Sequence, residues 1–286
     1  MTVVIPTYNS SRTIGSTLNS VFLQTVEADI IVVDDGSKDD TPNVLLSIRE
    51  TLPRPERMSI ILCDHNGGGA RARNIGIRAA KTDRVALIDS DDVWLPNHLE
   101  ESLRTLGACA AAFTVGRLVG YEKTPAMLER ECPMEYVLVR GGMAQTSSFL
   151  FLKSDGLAFD EALRKHQDFD FLMQAFSLKL KIVQNEKCTV VYRQDSSPGL
   201  VRVSEQSRPE ASRRFMRKWR HLMSRDARTV FILWFHLANR KNLRASHILK
   251  YIRIALNTKT SNYIKKRLLL NIVRSLLNQY RISFFR

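Results

Sequence analysis

The first ninety residues alternate short β-branched runs with segments of helical periodicity, and this alternation constrains the fold more than any other feature. Four apolar runs are typical of strands buried on both faces, as in a parallel sheet. They lie at 1–9, 29–35, 59–63 and 85–88. The intervening segments repeat apolar residues at helical spacing. The order β-α-β-α-β-α-β predicts an α/β fold with an open, mainly parallel, Rossmann-like sheet flanked by helices.

The rest of the chain is less regular. Further strands are predicted at 109–119, 147–152 and 188–193, with a helix at about 168–179. From residue 205 onward there is little strand signal, and two to four helices are expected, with a possible break at 257–261. We therefore predict one α/β domain over 1–204 and a helical extension over 205–286.

The charge distribution separates these two parts. Of the net charge of +14, residues 205–286 carry 20 Lys and Arg against three acids, whereas residues 1–204 carry 23 against 26. In 263–286, apolar residues recur at helical spacing among Lys and Arg, which favours peripheral contact with an anionic membrane surface. Packing of this stripe on the main domain stays open. Nucleic acid is not an expected partner because no recognised binding motif is present.

Cysteine usage and the first residues bear on the compartment. The four cysteines are far apart without a CxxC pair, so neither a zinc site nor a disulfide framework is indicated. The segment after Met1 does not resemble a secretory signal, and no apolar run is long enough to span a bilayer. We expect a cytoplasmic protein that can attach to the inner face of the plasma membrane.

Carboxylates follow two of the predicted strands. Asp34 and Asp35 come directly after one apolar run, and Asp89 and Asp91 after another. The carboxyl ends of parallel strands lie at one edge of the sheet, so we expect these acids to cluster there. Clustered carboxylates repel one another, and Mg²⁺ or Mn²⁺ would neutralise them and also bind a diphosphate. The alternative is that each acid is a solvated turn or cap residue.

The segment 66–76 (NGGGARARNIG) is rich in glycine and arginine at a predicted helix start. A helix N-terminus and arginines such as Arg71 and Arg73 both favour a diphosphate. The segment does not match the phosphate loop GxxxxGK[ST], and no GxGxxG follows the first strand. This argues against a nucleotide hydrolase and against a nicotinamide-dependent enzyme.

Four motifs in order carry a family resemblance. They are VVIPTYN at 3–9, IVVDDGSKDDT at 31–41, ARNIG at 72–76 and LIDSDDVWLP at 87–96. Together they resemble the family 2 inverting glycosyltransferases of bacterial polysaccharide biosynthesis. The resemblance is strongest over 1–100, extends to about 195 and is absent beyond. It implies the GT-A fold and metal-dependent transfer of a hexose from a nucleoside diphosphate sugar, most often a UDP-sugar, to an acceptor hydroxyl.

The resemblance also implies residue roles. Asp35 would hydrogen-bond the base, Asp89 would contact the ribose, and Asp91 would coordinate the metal at the diphosphate. The residues expected to bind the nucleotide are Pro6, Thr7, Tyr8, Asn9, Asp35, Gly36, Arg73 and Asp89. If the basic extension meets a membrane, the acceptor is expected to be a lipid-linked glycan intermediate of surface polysaccharide.

The general base of this family is matched by Asp168. It follows Phe159-Asp160-Glu161, and Gln167 stands where the family more often has Glu, which removes a like charge beside the base. Helix capping by Asp168 is the alternative role. Trp94, His166 and Gln167 are candidate sugar-site residues: Trp94 either stacks on a sugar or belongs to the core, and His166 is expected at the surface or the acceptor site.

Two other functions remain possible at this level. Nucleotidyltransferases of sugar nucleotides share a related fold, but they need a glycine-rich loop where this chain has Pro6-Thr7-Tyr8-Asn9. A protein that keeps the sugar-nucleotide pocket without catalysis, either a pseudo-enzyme or a basic scaffold, is the non-enzymatic alternative.

Overall fold

A computed structural model of the chain describes residues 1–108, 113–192 and 209–238, together with Arg253, Lys265, Lys266 and Leu269. The strands are β1 (Thr2–Thr7), β2 (Asp29–Asp34), β3 (Met58–Leu62), β4 (Arg84–Leu87), β5 (Val93–Trp94), β6 (Phe113–Leu118), β7 (Phe149–Leu152) and β8 (Ile182–Val191). The helices are α1 (Ile14–Phe22), α2 (Thr41–Thr51), α3 (Gly69–Ala79), α4 (His98–Ala108), α5 (Gln167–Ser177), α6 (Pro209–Trp219) and α7 (Arg225–Ala238).

The strands form an eight-stranded sheet in the order β3-β2-β1-β4-β7-β6-β8-β5. Strands β1 to β4 are mutually parallel, whereas β7 runs antiparallel to both β4 and β6. The parallel half is the arrangement that the alternating pattern predicts, so the predicted α/β class is confirmed. The reversal at β7 makes the second half of the sheet mixed.

Both faces of the parallel half are buried. Val4 pairs with Ile31 and Leu87 in the two neighbouring strands, and these three side chains lie in one core. Val3 pairs with Ile30 and Ala86, and these lie in the core on the opposite face. Strand residues alternate between faces, so a run of branched side chains in β1 and β2 fills both cores at once.

Helix α3 lies close against β1. A side chain at Gly76 would collide with Val4, which explains why the ARNIG segment has glycine there. The glycine therefore sets how closely α3 approaches β1.

The described helices beyond residue 205 share the main core. Phe215, Trp219 and Phe231 are buried with β6 and β7 residues such as Phe113 and Phe149. The predicted boundary at 204/205 stays a prediction, but α6 and α7 pack on the α/β domain. Most of the stripe predicted at 263–286, like the break at 257–261, lies outside the described residues, although Leu269 packs against the same core.

Some elements differ from the sequence prediction. Strand β8 begins at Ile182, well before the predicted 188, because its polar Asn185 is buried and donates a hydrogen bond to Ser102 Oγ at 2.8 Å. A polar residue with an internal partner interrupts the apolar pattern without ending the strand. Residues 109–112 of the predicted strand lie outside the described part, which starts again at β6. No described helix is long and apolar enough to cross a membrane.

Candidate active site

The loops after β1 and β2 are joined by Asn9 and Ser37. Asn9 adopts a positive φ of 51°; its backbone N–H donates to Ser37 Oγ at 2.8 Å, and its Oδ1 accepts from the Lys38 N–H at 2.8 Å. Tyr8 is 43% exposed at this edge, while Thr7 Oγ1 is buried without a hydrogen-bond partner among the described residues. Most of the predicted nucleotide-binding residues on β1 and its loop therefore lie at one sheet edge.

Gly36 turns the chain at the end of β2. Its φ is +73°, and a Cβ there would lie 2.8 Å from the carbonyl carbon of His65. Any other residue would be strained by its dihedral and would also clash with this backbone. The glycine thus lets the loop after β3 pass directly beside Asp35.

Asp34 and Asp35 are bound within the protein. Ser37 donates to Asp34 from both its hydroxyl (2.5 Å) and its N–H (3.0 Å). Asp35 is 2% exposed and accepts the N–H groups of Gly67 and Gly68 at 2.9 and 2.6 Å. The role of Asp35 in reading a base stays a prediction, because both of its carboxylate oxygens already hold the glycine loop in place.

Arg73 joins three of the predicted motifs. It extends from α3; Nη2 lies 2.5 Å from Asp89 Oδ1, and Nη1 donates to Gln167 Oε1 at 2.9 Å. Its guanidinium also lies 5.2 Å from the ring centroid of Phe159. The end of β4, the start of α3 and the start of α5 therefore meet at one buried cation. Gln167 contacts Arg73 here, and its role toward a sugar stays a prediction.

The segment after β4 is fixed by Ser147. Its hydroxyl accepts the Asp89 N–H at 2.9 Å and donates to Asp92 at 2.5 Å. The Ser147 carbonyl accepts the indole N–H of Trp94 at 2.7 Å. Trp94 is only 2% exposed and stacks on His98, so of its two predicted roles the structure supports the core role; it offers no free face to a sugar.

The expected carboxylate cluster does not form. Strand β1 separates β2 from β4, and the described residues contain no group of three or more His, Cys, Asp or Glu side chains arranged to hold a metal. Instead, Asp34 and Asp35 accept hydrogen bonds from Ser37 and the glycine loop, and Asp89 pairs with Arg73. Asp91 is exposed beside Asp89. This donor set fits Mg²⁺ or Mn²⁺ bound by one or two carboxylates, with phosphate oxygens and water completing the shell, rather than a preformed cage.

Asp168 lies in the first turn of α5. Its Oδ1 accepts the N–H of the next residue, Phe169, at 2.9 Å, and α5 has no side-chain cap at its N-terminus. Burial raises the pKa of the Asp168 carboxyl to about 6; the Phe169 N–H and Arg73 oppose this effect, and Asp89 adds to it. A carboxylate with a pKa near neutrality is suited to accept a proton.

His166 is not at the surface, which corrects one of its two expected positions, while a place at the acceptor site stays a prediction. It is 6% exposed and packs against Phe169, Phe215 and Phe231. Its Nε2 lies 2.9 Å from Ser212 Oγ in α6. Burial lowers the pKa of the imidazole to about 3, so His166 is neutral at pH 7. The helices α6 and α7, which contribute Phe215 and Phe231, lie in a part of the chain that carries no recognisable motif.

Asn74 is a site-building residue that sequence reasoning missed. Its Nδ2 donates to the Phe159 carbonyl and to Glu161 Oε1, both at 2.9 Å, and its Oδ1 accepts the Phe159 N–H at 2.8 Å. It therefore fastens the segment before Asp168 to α3. The available signal was an amide in the middle of a helix, a position where Asn is unfavourable unless its side chain has a specific partner.

Comparison with known proteins agrees with this geometry. The family described as "Glycosyl transferase family 2" matches residues 2–168. The amylovoran biosynthesis glycosyltransferase AmsB of Erwinia amylovora is 32% identical over 63% of this chain and 65% of its own length. The succinoglycan biosynthesis protein ExoO of Rhizobium meliloti is 31% identical over 62% of this chain and 56% of its own length. The alignments thus span less than two thirds of these relatives.

Solved structures share the fold. S. aureus TarS in complex with UDP-GlcNAc superposes with a TM-score of 0.60 at 18% identity, covering 100% of this chain and 93% of that one. The Pyrobaculum calidifontis mannosyltransferase PcManGT in complex with GDP-Man and Mn²⁺ has a TM-score of 0.58 at 15% identity, with 99% and 76% covered. At these identities the likeness supports the fold alone, which is the predicted GT-A type.

Proposed function

The chain belongs to glycosyl transferase family 2, and we propose that it transfers a hexose from a UDP-sugar to an acceptor hydroxyl with inversion at the anomeric carbon. The observation that carries this proposal is the placement of Asp168. A partly buried carboxylate with a raised pKa stands at the start of α5, beside the Arg73–Asp89 pair at the carboxyl edge of the parallel strands. In open α/β sheets, ligands bind at that edge.

Inversion requires one displacement. The acceptor oxygen bonds to the anomeric carbon as the bond from that carbon to the diphosphate oxygen breaks. The acceptor proton passes to Asp168, and UDP leaves. A base within hydrogen-bond reach of the attacking hydroxyl contributes about 10²- to 10⁴-fold to the rate of such a step. The pKa of about 6 keeps Asp168 ionised at pH 7 and still able to accept the proton.

The donor would lie along the edge formed by β1, β2 and β4. Pro6, Thr7, Tyr8, Asn9, Asp35 and Gly36 would line the end at which the base binds, and Arg73 and Asp89 would lie at the ribose and the rest of the nucleotide. Asp91 would hold Mg²⁺ or Mn²⁺, which neutralises charge on the leaving diphosphate when bound. Arg73 contacts both Asp89 and Gln167 and so fixes the positions of these two side chains relative to each other.

The acceptor is proposed to be a glycan, attached to a membrane lipid during assembly of a surface polysaccharide. AmsB and ExoO are named for polysaccharide biosynthesis, and the Escherichia coli relative WfgD is named for transfer to a GlcNAc-diphosphoundecaprenol. Arg213 and Arg217 of α6 and Arg220 directly after it are exposed, while Phe215 and Trp219 of the same helix are buried in the core. Contact with an anionic inner membrane surface through this helix would therefore be electrostatic, without insertion.

The test is UDP release from a panel of UDP- and GDP-sugars with Mn²⁺, using the intact chain and three variants. We expect turnover with a UDP-sugar, loss of at least 10²-fold in Asp168→Asn with UDP binding retained, and loss of metal-dependent turnover in Asp91→Asn. Asp29→Asn is the matched control, because this exposed acid begins β2 at the opposite edge of the sheet. Full activity of Asp168→Asn would overturn the assignment.

The non-catalytic alternative is separated by the same measurements. A pseudo-enzyme or scaffold would bind UDP yet release none from any donor, with or without acceptor. A nucleotidyltransferase would instead form a sugar nucleotide from a nucleoside triphosphate and a sugar phosphate. Neither outcome is expected, because the Asp168 carboxylate and the Arg73 network have no evident role in either.

A further inference from the structure

Helix α6 makes side-chain contacts with the segment that carries Asp168. Three polar side chains of this segment, Asp160, His166 and Asp170, each contact α6, and Asp168 lies between the last two. The polar partners that α6 supplies are Ser212, Arg214, Lys218 and Trp219. These contacts use residues outside the stretch that matches the family.

Asp170 receives the densest set of contacts. It is 1% exposed; the Trp219 indole N–H donates to its Oδ1 at 2.7 Å, and Gln174 Nε2 donates to its Oδ2 at 2.8 Å. Lys218 Nζ lies 2.8 Å from Oδ1 and 3.0 Å from Oδ2. A buried carboxylate needs such compensation, because an unpaired charge in the interior is strongly destabilising.

The other two contacts fix the approach to α5. Arg214 binds Asp160 through two nitrogens, at 3.0 and 3.3 Å. His166 stands immediately before α5 with a φ of +65°, a left-handed conformation that is uncommon for a residue other than glycine. Its ring is hydrogen-bonded to Ser212 and enclosed by Phe215 and Phe231. These contacts from α6 and α7 hold the strained backbone conformation of His166 in place next to the base.

We propose that α6 positions the catalytic carboxylate, with Lys218 and Trp219 as positioning residues that act on Asp168 through Asp170. The inference rests on the proposed function, because it assumes that Asp168 is the base. Residues two apart on a helix do not face each other, so α6 holds α5 from the side away from the reaction. Misplacement of a reacting group by about 1 Å can cost 10²-fold in rate, so such support affects turnover directly.

The experiment measures kcat and KM for UDP release from the UDP-sugar found active in the panel, together with UDP affinity by calorimetry. For Lys218→Met in the full chain we expect kcat to fall at least tenfold, with KM and UDP affinity within twofold of the parent. Lys218→Arg should restore most of kcat, because its guanidinium can still bind Asp170. The matched control is Arg225→Met, which removes an exposed charge from the start of α7 and should leave kcat unchanged.

Trp219→Phe is the second variant, and it decides the question if Lys218→Met does not fold. It keeps an aromatic ring in the core and removes only the donor to Asp170, so a fold intact by circular dichroism with a several-fold lower kcat and unchanged KM supports the proposal. A parental kcat in either folded variant overturns it, as does a loss of kcat matched by an equal loss of UDP affinity. Asp168→Asn is assayed in parallel. If that variant is active, the proposed function itself has failed. If it is inactive while Lys218→Met is fully active, only the positioning role has failed.

Discussion

The two acids that follow β2 and the two acids that flank the start of α5 are hydrogen-bonded to different kinds of donor. Asp34 and Asp35 accept hydrogen bonds from Ser37 and from backbone N–H groups of a glycine loop. Asp160 and Asp170 accept from the side chains of Arg214, Lys218 and Trp219. Backbone donors come with a loop conformation and hence with recognisable glycine motifs, whereas side-chain donors can sit in any amphipathic helix. The first region is therefore visible in sequence, and the second is not.

Arg73 is the link between the two regions, and its removal should have the largest effect. Arg73→Met deletes the contacts to Asp89 and Gln167 and leaves Asp89 without its buried cation. We expect kcat/KM for the UDP-sugar to fall by about 10² or more, which corresponds to about 3 kcal/mol. The measurement is steady-state UDP release, with Arg78→Met, an exposed residue of the same helix, as control. Parental kcat/KM in Arg73→Met would show that the two regions work independently.

The pH dependence of turnover tests the α5 side alone. Because the pKa of Asp168 is raised to about 6 by burial, its protonated fraction grows as the pH falls through 6. We expect kcat/KM to be level from pH 7 to 8 and to fall about tenfold per unit below 6. Initial rates in buffers of constant ionic strength provide the profile. A level profile down to pH 4.5 would exclude Asp168 as the base.

The ionised Asp168 carboxylate should lower the free energy of unfolding, whereas Asp34 and Asp35 should not. A carboxyl whose folded pKa is above its unfolded value of 3.8 stabilises the fold fully only below that value, and this contribution is lost as the pH rises through about 6. Asp168→Asn removes the desolvated charge, so its unfolding free energy at pH 8 should exceed that of the parent by up to about 3 kcal/mol, and by about half as much at pH 5. Urea denaturation at both pH values checks this. Equal stability at pH 8 would contradict the raised pKa.

Asp35→Asn should lower the free energy of unfolding, which is the opposite of the effect expected for Asp168→Asn. One of the two carboxylate oxygens becomes an NH₂ group that cannot accept a hydrogen bond from Gly67 or Gly68. We expect destabilisation of about 1 to 3 kcal/mol from the unsatisfied buried N–H. The same urea titration applies, and Asp29→Asn is again the control. A neutral result would mean that the glycine loop relaxes toward solvent.

The smallest effect per residue concerns the exposed arginines Arg213 and Arg217 of α6 and Arg220 directly after it. Replacing Arg213, Arg217 and Arg220 by Gln should weaken co-sedimentation with phosphatidylglycerol vesicles by roughly 1 kcal/mol per charge near the surface, and should leave UDP release without vesicles unchanged. Phosphatidylcholine vesicles and added salt are the controls, because an electrostatic contact is lost in both. Binding that persists in high salt would indicate apolar insertion instead.

The sequence predicts the positions of strands correctly where the apolar pattern matches the burial of the strand. The runs at 29–35 and 85–88 became β2 and β4 nearly as expected, because strands buried on two faces tolerate only apolar side chains. The prediction worked less well for β8, where buried Asn185 interrupts the apolar pattern. The sequence does not decide between a core and a sugar-stacking position for Trp94, and the surface position that it predicts for His166 is wrong. Whether an aromatic or imidazole ring is enclosed depends on helices distant in the chain, α6 and α7 in the case of His166.

The sequence by itself determined the parallel half of the sheet, the glycine loops and the order of the motifs, because each depends on local dihedral preferences and on the alternation of apolar residues. The tertiary structure alone decided which acids share a site. It separated Asp35 from Asp89 by placing β1 between their strands, joined Asp89 to Gln167 through Arg73, and placed α6 behind Asp168. Charge compensation depends on distances in space, and those distances are set only when the helices pack.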